Sequence, residues 1–262
     1  MTTSPVTYEA REGVARITLN RPAVLNALDT DLAIALADHA EAAAADGQVT
    51  LVIVQGAGRA FCSGMDRTAL AEGRIGEAFY RHWIRALNTL EDMPKMVLAV
   101  LYGYALGGGL QLALACDLRL ATDDAIIGLG ATRHGLIPDG AVLRLARVVG
   151  LGRAKELALL NDTVTPAEAR SMGLVNWVCR AAELDAAVEA LLAKGRAAAP
   201  TAVAHTKRLL QESFHSDPRA MIEALVRAQG DCMSSWEIAE ANRAWSEQRE
   251  AIFYPPPPRR PR

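Results

Sequence analysis

Backbone amides left uncovered by side chains are the first feature of this sequence that could do chemistry. Three consecutive glycines, Gly107–Gly109, stand where a strand-like run gives way to a helix-like one in GYALGGGLQLALA. Glycine leaves its N–H group accessible, and the positive end of a helix dipole attracts negative charge. The segment therefore suits an oxyanion, although glycine equally permits close packing of a helix on a sheet.

A second glycine-containing loop, GAGRAFCSGMD, also follows a β-branched apolar run. Two strand ends could thus each direct one N–H group to the same oxygen, as an enolate or a tetrahedral oxyanion requires. A dinucleotide-binding loop does not fit, because GYALGGG lacks the GxGxxG spacing. A serine nucleophile elbow does not fit either, because Ser63 has no glycine two positions before it.

Strands that alternate with helices would position these loops. Alternating apolar residues in VTYEA and VARITLN predict two short strands, and the segment from Asp29 or Thr30 to Gly47 predicts a helix. Two strands buried on both faces are predicted from the apolar runs TLVIVQG and KMVLAVLYG. A helix that reaches about Asp92 follows the first strand, and a helix that starts near Gly107 follows the second. This order indicates an α/β core with sites at the carboxyl ends of its strands, and from about Val142 only helical patterns follow.

Composition excludes several classes of function. The chain has 262 residues, of which 51% are hydrophobic, and 28 basic against 30 acidic residues give a net charge of -2. Without a basic stripe, neither nucleic acid nor an anionic membrane is an expected partner. The four cysteines are far apart without CxxC spacing, and the N-terminus lacks an apolar signal-peptide core, so we expect a cytoplasmic protein with reduced thiols.

Four motifs, taken in order, resemble the crotonase superfamily of enoyl-CoA hydratases and isomerases: LNRPAVLNAL, GAGRAFCSGMD, GYALGGGLQLALACDLRLAT and GLIPD. The resemblance implies an α/β fold, a spiral of ββα units with a C-terminal helical region. It implies an acyl-CoA thioester as substrate, no cofactor beyond the coenzyme A of that substrate, no metal, and a homotrimer or hexamer. Residues 1–199 would form the spiral core, 200–254 the C-terminal helical trimerisation region, and 255–262 a disordered Pro/Arg tail.

The resemblance also assigns roles to individual residues. It implies an oxyanion hole for the thioester carbonyl formed by the backbone amides of Met65 and Gly108. Coenzyme A would bind along the first loop, which implies these lining residues: Ser63, Met65, Asp66, Arg67 and Thr68. Arg133 and His134 are weaker polar candidates, and Tyr80 and Trp83 are expected in the core or the pocket wall.

Both glutamates that hydratases of this superfamily use are absent. Gln111 and Ala131 occupy their positions, and an amide cannot take up a proton at neutral pH. Asp139 in GLIPD resembles the catalytic aspartate of dienoyl-CoA and ring-type enoyl-CoA isomerases, and also the nucleophile of a chlorobenzoyl-CoA dehalogenase. Alternatively, Asp139 only caps the helix that follows it.

The resemblance therefore favours isomerase-type proton transfer, in which Asp139 shuttles a proton and Gln111 orients the substrate or a water. Three alternatives stay open at this point. They are a hydratase or lyase with non-standard acid-base groups, a thioester hydrolase or dehalogenase-like enzyme with a nucleophilic aspartate, and a non-catalytic scaffold.

Overall fold

The computed structural model describes residues 4–255, so that only Pro255 of the predicted tail falls inside it and 256–262 lie outside the described residues. The strands are β1 (Val6–Arg11), β2 (Val14–Leu19), β3 (Leu51–Gly56), β4 (Met96–Leu101), β5 (Tyr104–Leu106), β6 (Leu118–Thr122), β7 (Ile126–Gly128), β8 (Thr163–Val164) and β9 (Trp177–Cys179). The helices are α1 (Thr30–Ala45), α2 (Arg67–Ala71), α3 (Glu77–Asp92), α4 (Gly108–Ala115), α5 (Asp139–Val142), α6 (Leu145–Leu160), α7 (Pro166–Ser171), α8 (Leu184–Arg196), α9 (Pro200–Glu212), α10 (Pro218–Met233) and α11 (Trp236–Ser246).

Two sheets organise the molecule. The larger has the strand order β1-β2-β3-β4-β6-β9, and every pair in it is parallel except β1–β2. The smaller has the order β5-β7-β8, with β5 and β7 parallel. The carboxyl ends of β3 and β4 lie at the same edge of the larger sheet, which brings the loops that follow them together.

Helices cover both faces of the larger sheet, which explains its uninterrupted apolar strands. Val52 and Val54 of β3 join the core cluster under α1, α3 and α4. Leu51 and Ile53, which point the other way, pack in a second cluster with α8. Because side chains alternate across a strand, a strand buried on both faces needs apolar residues at every position.

The helices α1 and α3 pack on each other beside the site. Asp29 ends the preceding loop and caps α1, since its side chain accepts a hydrogen bond from Leu32 N at 2.9 Å. The buried residues of α3 recur every three or four positions and form one face of the helix: Phe79, Trp83, Ala86, Leu87 and Leu90. Trp83 and Phe79 are both about 1% exposed, and each such burial contributes roughly 1.5–3 kcal/mol.

The expectation of helices alone after about Val142 is wrong in two places. The strands β8 and β9 lie between the helices, and β9 pairs with β6 at the edge of the larger sheet. Both are too short to show a periodicity in the sequence. Helix α6 is kinked at Gly150, which has φ +75°.

Three helices, α9 to α11, occupy the region predicted to mediate trimerisation. Lys207 of α9 attaches this region to the core, because its Nζ donates to Asp117 Oδ2 at 2.9 Å and to the carbonyls of Leu90 and Lys95 at 3.0 Å. Among residues 4–255, no helix is long and apolar enough to cross a membrane.

Candidate active site

The loop after β3 is held between two other segments. Cys62 pairs with β5 in a parallel bridge, donating from its N–H to Tyr104 O at 2.8 Å and accepting from Leu106 N at 3.0 Å. On its other side, Leu28 N donates to Gly64 O at 2.8 Å, and Asp66 N donates to Leu28 O at 2.9 Å. These bonds fix Met65 beside the start of α4.

The amides of Met65 and Gly108 are available as donors. Within the described residues 4–255, neither N–H group donates to another part of the protein. Gly108 is the first residue of α4, and its amide is one of those that a helix leaves without an internal acceptor. The two loops approach each other closely, because a Cβ at Gly64 would lie only 3.5 Å from Gly108 N and 2.9 Å from Leu106 O.

The amides open into a cavity of about 330 Å³, which both Met65 and Gly108 line. One wall is formed by aromatic side chains of α3 and the other by the turn before α5. The predicted residues that line this cavity are Ser63, Met65, Arg67, Gly108, Gln111 and Asp139. The structure thus brings six of the eight predicted site residues to one place.

The other two predicted residues, Asp66 and Thr68, do not line the cavity. Asp66 caps α2 by accepting from Thr68 N and Ala69 N, and it accepts a further hydrogen bond from Arg21 at 3.0 Å. These bonds, with that from Ala69 first, keep the pKa of Asp66 below its usual range. The carboxylate is therefore already committed to the local structure.

Asp139 is the only acidic side chain among the described residues that line the cavity. It is half-buried, and burial raises its pKa, while neighbouring backbone amides and the charge of Arg144 act more weakly in the opposite direction. Tyr80 lines the same cavity, and its pKa is raised by burial and by the negative charge of Asp139. The Asp139 carboxylate is therefore close enough to affect the ionisation of Tyr80.

Asp139 does not occupy the cap position of the helix that follows it. Asp139 is the first residue of α5, and the cap position is Pro138, which makes no side-chain capping bond. A carboxyl group placed there and lining a cavity remains available for chemistry.

Gln111 is buried, with 5% of its surface exposed, and its side chain reaches α5. Its Oε1 accepts a hydrogen bond from Gly140 N at 2.6 Å. Since an N–H group requires an acceptor, this bond fixes which end of the amide is the oxygen. No protein acceptor lies within reach of Nε2 in the part of the chain that the structure describes, so this N–H group is available to the cavity.

The cavity is also lined by side chains that the sequence indicates only as weaker candidates or does not indicate at all. Arg133 and His134 line it, as do the aromatic rings of Tyr80 and Trp83, while Ala131 contributes only a methyl group. Leu136, Ile137, Asn161 and Thr163 were not singled out from the sequence, because nothing in it marks the turn before α5 and the end of α6 as neighbours.

The buried cysteines have no part in this site. Burial raises the pKa of Cys62 to about 12 and that of Cys116 to about 12, so both thiols remain protonated and serve as small apolar groups. Among residues 4–255, no group of three or more histidine, cysteine, aspartate or glutamate side chains is arranged to hold a metal ion.

Comparison with known proteins agrees with this geometry. The family model described as enoyl-CoA hydratase/isomerase matches residues 9–255. YngF of Bacillus subtilis is 35% identical over 247 residues, covering 92% of this chain and 95% of YngF. The short-chain-enoyl-CoA hydratase of Clostridium acetobutylicum is 32% identical over 249 residues, covering 94% of this chain and 95% of that protein.

A solved structure extends the likeness to three dimensions. The crystal structure of an enoyl-CoA hydratase from Bacillus anthracis matches with a TM-score of 0.87 at 29% identity, and the match covers 95% of this chain and 98% of that one. The predicted crotonase-like α/β fold is thus confirmed. The chain belongs to the enoyl-CoA hydratase/isomerase family and is an acyl-CoA enzyme of the crotonase superfamily.

Proposed function

We propose that this protein is an enoyl-CoA isomerase that moves a double bond by transferring one proton through Asp139. The observation that carries the proposal is that a single carboxylate shares the cavity with two available backbone donors. One base that gives back the proton it has removed is sufficient for a 1,3 shift. The substrate is an acyl-CoA thioester, and no cofactor is needed beyond its coenzyme A.

The proposed reaction begins with a 3-enoyl thioester whose carbonyl oxygen accepts from Met65 N and Gly108 N. Asp139 removes a proton from the α carbon, and the electron pair of that bond moves toward the carbonyl, forming a dienolate. The two amides stabilise its negative oxygen. The carboxylic acid of Asp139 then returns the proton to the γ carbon, which leaves a conjugated 2-enoyl thioester and restores the carboxylate.

The environment of Asp139 supports this role. A carboxyl group whose pKa is raised by burial is a stronger base than an exposed one, and it exchanges protons more readily near neutral pH. The Nε2 amide of Gln111 would orient the thioester from the side of α4. Ser63 and Arg67 would contact the coenzyme A, while the less exposed Asp66 and the exposed Thr68 would support that loop.

Substitution of Asp139 tests the proposal. We expect Asp139→Asn to lower kcat for 3-hexenoyl-CoA by about a hundredfold or more, because a general base contributes on that order. Asp124→Asn, at an exposed position outside the cavity, is the matched control and should retain full activity. In deuterated water the product should carry label at the γ carbon only to the extent that the carboxylic acid of Asp139 exchanges its proton with solvent before returning it. Unchanged turnover in Asp139→Asn would show that Asp139 is not the base.

The second candidate is hydration, favoured by the name of the Clostridium acetobutylicum relative. It requires an acid-base arrangement other than two glutamates, because Gln111 and Ala131 line the cavity in their place. The two activities differ in product, since hydration of crotonyl-CoA gives a 3-hydroxyacyl thioester. Formation of that product at a rate above double-bond migration would favour hydration. A covalent adduct on Asp139 seen by mass spectrometry would instead favour a hydrolase or dehalogenase-like enzyme with a nucleophilic aspartate. The absence of turnover with any thioester would favour a non-catalytic scaffold.

We also propose that the chain forms trimers or dimers of trimers through its C-terminal helices. Several large apolar side chains of α9, of α10 and of the turn between them are exposed in the single chain: Leu210, Phe214, Ile222, Leu225 and Val226. Several large exposed apolar side chains in one region of a chain are typical of an interface between subunits. Sedimentation equilibrium should give three or six times the monomer mass; a monomer would contradict the proposal.

A further inference from the structure

Two hydrogen bonds hold Gly140, the residue directly after Asp139, from opposite sides. Its N–H group donates to Gln111 Oε1 at 2.6 Å, and its carbonyl accepts from the guanidinium of Arg144 at 3.0 Å. A Cβ at this position would lie 2.5 Å from Leu87 Cδ1 and 2.8 Å from the same Gln111 oxygen. The backbone beside Asp139 is thus fixed by partners on α4 and at the start of α6.

Arg144 is itself anchored to α3. Its second terminal nitrogen donates to Asn88 Oδ1 at 2.9 Å and to the carboxylate of Glu91. The Arg144 side chain is 4% exposed, and that of Glu91 is 21% exposed. An arginine fork that is buried, charge-paired and bonded to a backbone carbonyl has little freedom to move.

Helix α5 needs such an anchor. It has four residues, too few for a stable helix by itself, and no side chain caps its N-terminus. Val142, its last residue, and Leu143, directly after it, are mostly exposed, so only the small residues Gly140 and Ala141 pack α5 against its neighbours. Without Arg144, the carbonyl side of Gly140 would lose its tie to α3.

We propose that Arg144 is a positioning residue, which fixes Asp139 against the cavity by joining the Gly140 carbonyl to Glu91 and Asn88 of α3. This inference rests on the proposed function, in which Asp139 is the base. Arg144 does not line the cavity, and it acts on the reaction only through the backbone of α5 and through its charge.

The charge of Arg144 adds an effect that a purely mechanical anchor would not have. Its positive charge favours the ionised form of Asp139 and opposes the effect of burial on the pKa. Other charged or titratable groups line the cavity with Asp139 and stay unchanged in an Arg144 variant; they are Tyr80 on α3, Arg67 on α2, and Arg133 and His134 before α5. Glu91 of α3 is the partner of Arg144 and does not line the cavity.

Three substitutions separate position from charge. We expect Arg144→Met to lower kcat by about tenfold to a hundredfold, the range typical of a reacting group displaced by about 1 Å. It should also move the acid limb of the kcat profile to higher pH, with KM little changed. Arg144→Lys keeps the charge without the fork, so kcat should fall while the acid limb stays in place. Glu91→Gln should lower kcat without moving the limb to higher pH.

Arg85→Met is the matched control. Arg85 also lies on α3 and joins it to another helix, through Asp38 and Glu41 of α1, but it makes no contact with α5. This variant should keep the wild-type kcat and pH profile. If Arg144→Met does not fold, Arg144→Met combined with Glu91→Leu replaces the whole pair by apolar groups and carries the same expectation.

The outcomes distinguish this inference from the proposed function. A wild-type kcat and pH profile in Arg144→Met, or an equal loss of kcat in Arg85→Met, would overturn the positioning role. If either of these results is obtained and Asp139→Asn is inactive in the same assay, only the positioning role of Arg144 is refuted. If Asp139→Asn is fully active, the proposed function itself is refuted.

Discussion

Gly64 lies directly before Met65 in the chain and close to Gly108, the two proposed oxyanion donors. A single methyl group added at Gly64 should prevent the two amides from binding the same oxygen. Its φ is +94°, a region that costs a residue with a side chain roughly 1–3 kcal/mol. The added Cβ would lie 2.9 Å from Leu106 O, and only movement of the backbone before Gly108 relieves that contact. Because losing one donor typically costs about a hundredfold to a thousandfold in rate, we expect Gly64→Ala to lower kcat by at least about a hundredfold.

The same variant should lose some stability. The backbone strain corresponds to a fall in Tm of roughly 2–12 °C for a chain of this size. Gly73 supplies a matched control, since it has φ +71° but a Cβ there would meet nothing within 4 Å. Gly73→Ala should therefore show a similar fall in Tm with wild-type kcat.

The assay follows the absorbance of the conjugated thioester formed from 3-hexenoyl-CoA, with Tm measured by circular dichroism on the same samples. Equal kcat values for Gly64→Ala and Gly73→Ala would refute the reasoning, because strain alone would then explain every effect at Gly64. A loss confined to KM would also contradict it, since oxyanion stabilisation acts on the transition state.

Three further predictions follow from buried charge and from the missing carboxylates. Asp139→Asn should raise Tm at pH 8 but not at pH 3, because folding raises the pKa of this carboxyl group and its ionised form, present at high pH, destabilises the folded protein. An equal change in Tm at both pH values would contradict this prediction. Lys207→Met should destabilise the protein by about 3 kcal/mol in urea unfolding, because it leaves the largely buried Asp117 without its cation; wild-type stability would show that α9 is not held by this pair. Gln111→Glu combined with Ala131→Glu should raise hydration of crotonyl-CoA by about tenfold or more, since two carboxylates would then line the cavity; no gain in 3-hydroxybutyryl-CoA would show that more than these two groups is missing.

Much of the fold could be predicted from the sequence, where local pattern and burial agree. β3 was identifiable because Leu51 and Val52, on opposite faces, are both apolar. Helix α1 could be bounded from its cap at Asp29. The strands β8 and β9 could not be predicted, because pairing with distant strands determines them, and two or three residues carry no period.

The site divides in the same way. The family motifs located Met65, Gly108 and Asp139, and these residues do line one cavity. The sequence did not reveal that Gln111 bonds to Gly140, or that Arg144 reaches a carboxylate 53 residues earlier in the chain. Such contacts arise from how helices are placed on one another, and no local spacing reports that placement.

Helix α4 connects the two ends of the proposed reaction. It begins with the amide of Gly108, and one turn later Gln111 holds the peptide next to Asp139. The rise between these two positions along an α-helix is about 4.5 Å, a length that hydrogen bonds within α4 keep constant. Substitutions in α2 can therefore reshape the room for the acyl group without altering the spacing between the Gly108 amide and the Gln111 side chain that holds the peptide next to Asp139. Substrate range can thus change while this part of the site stays the same.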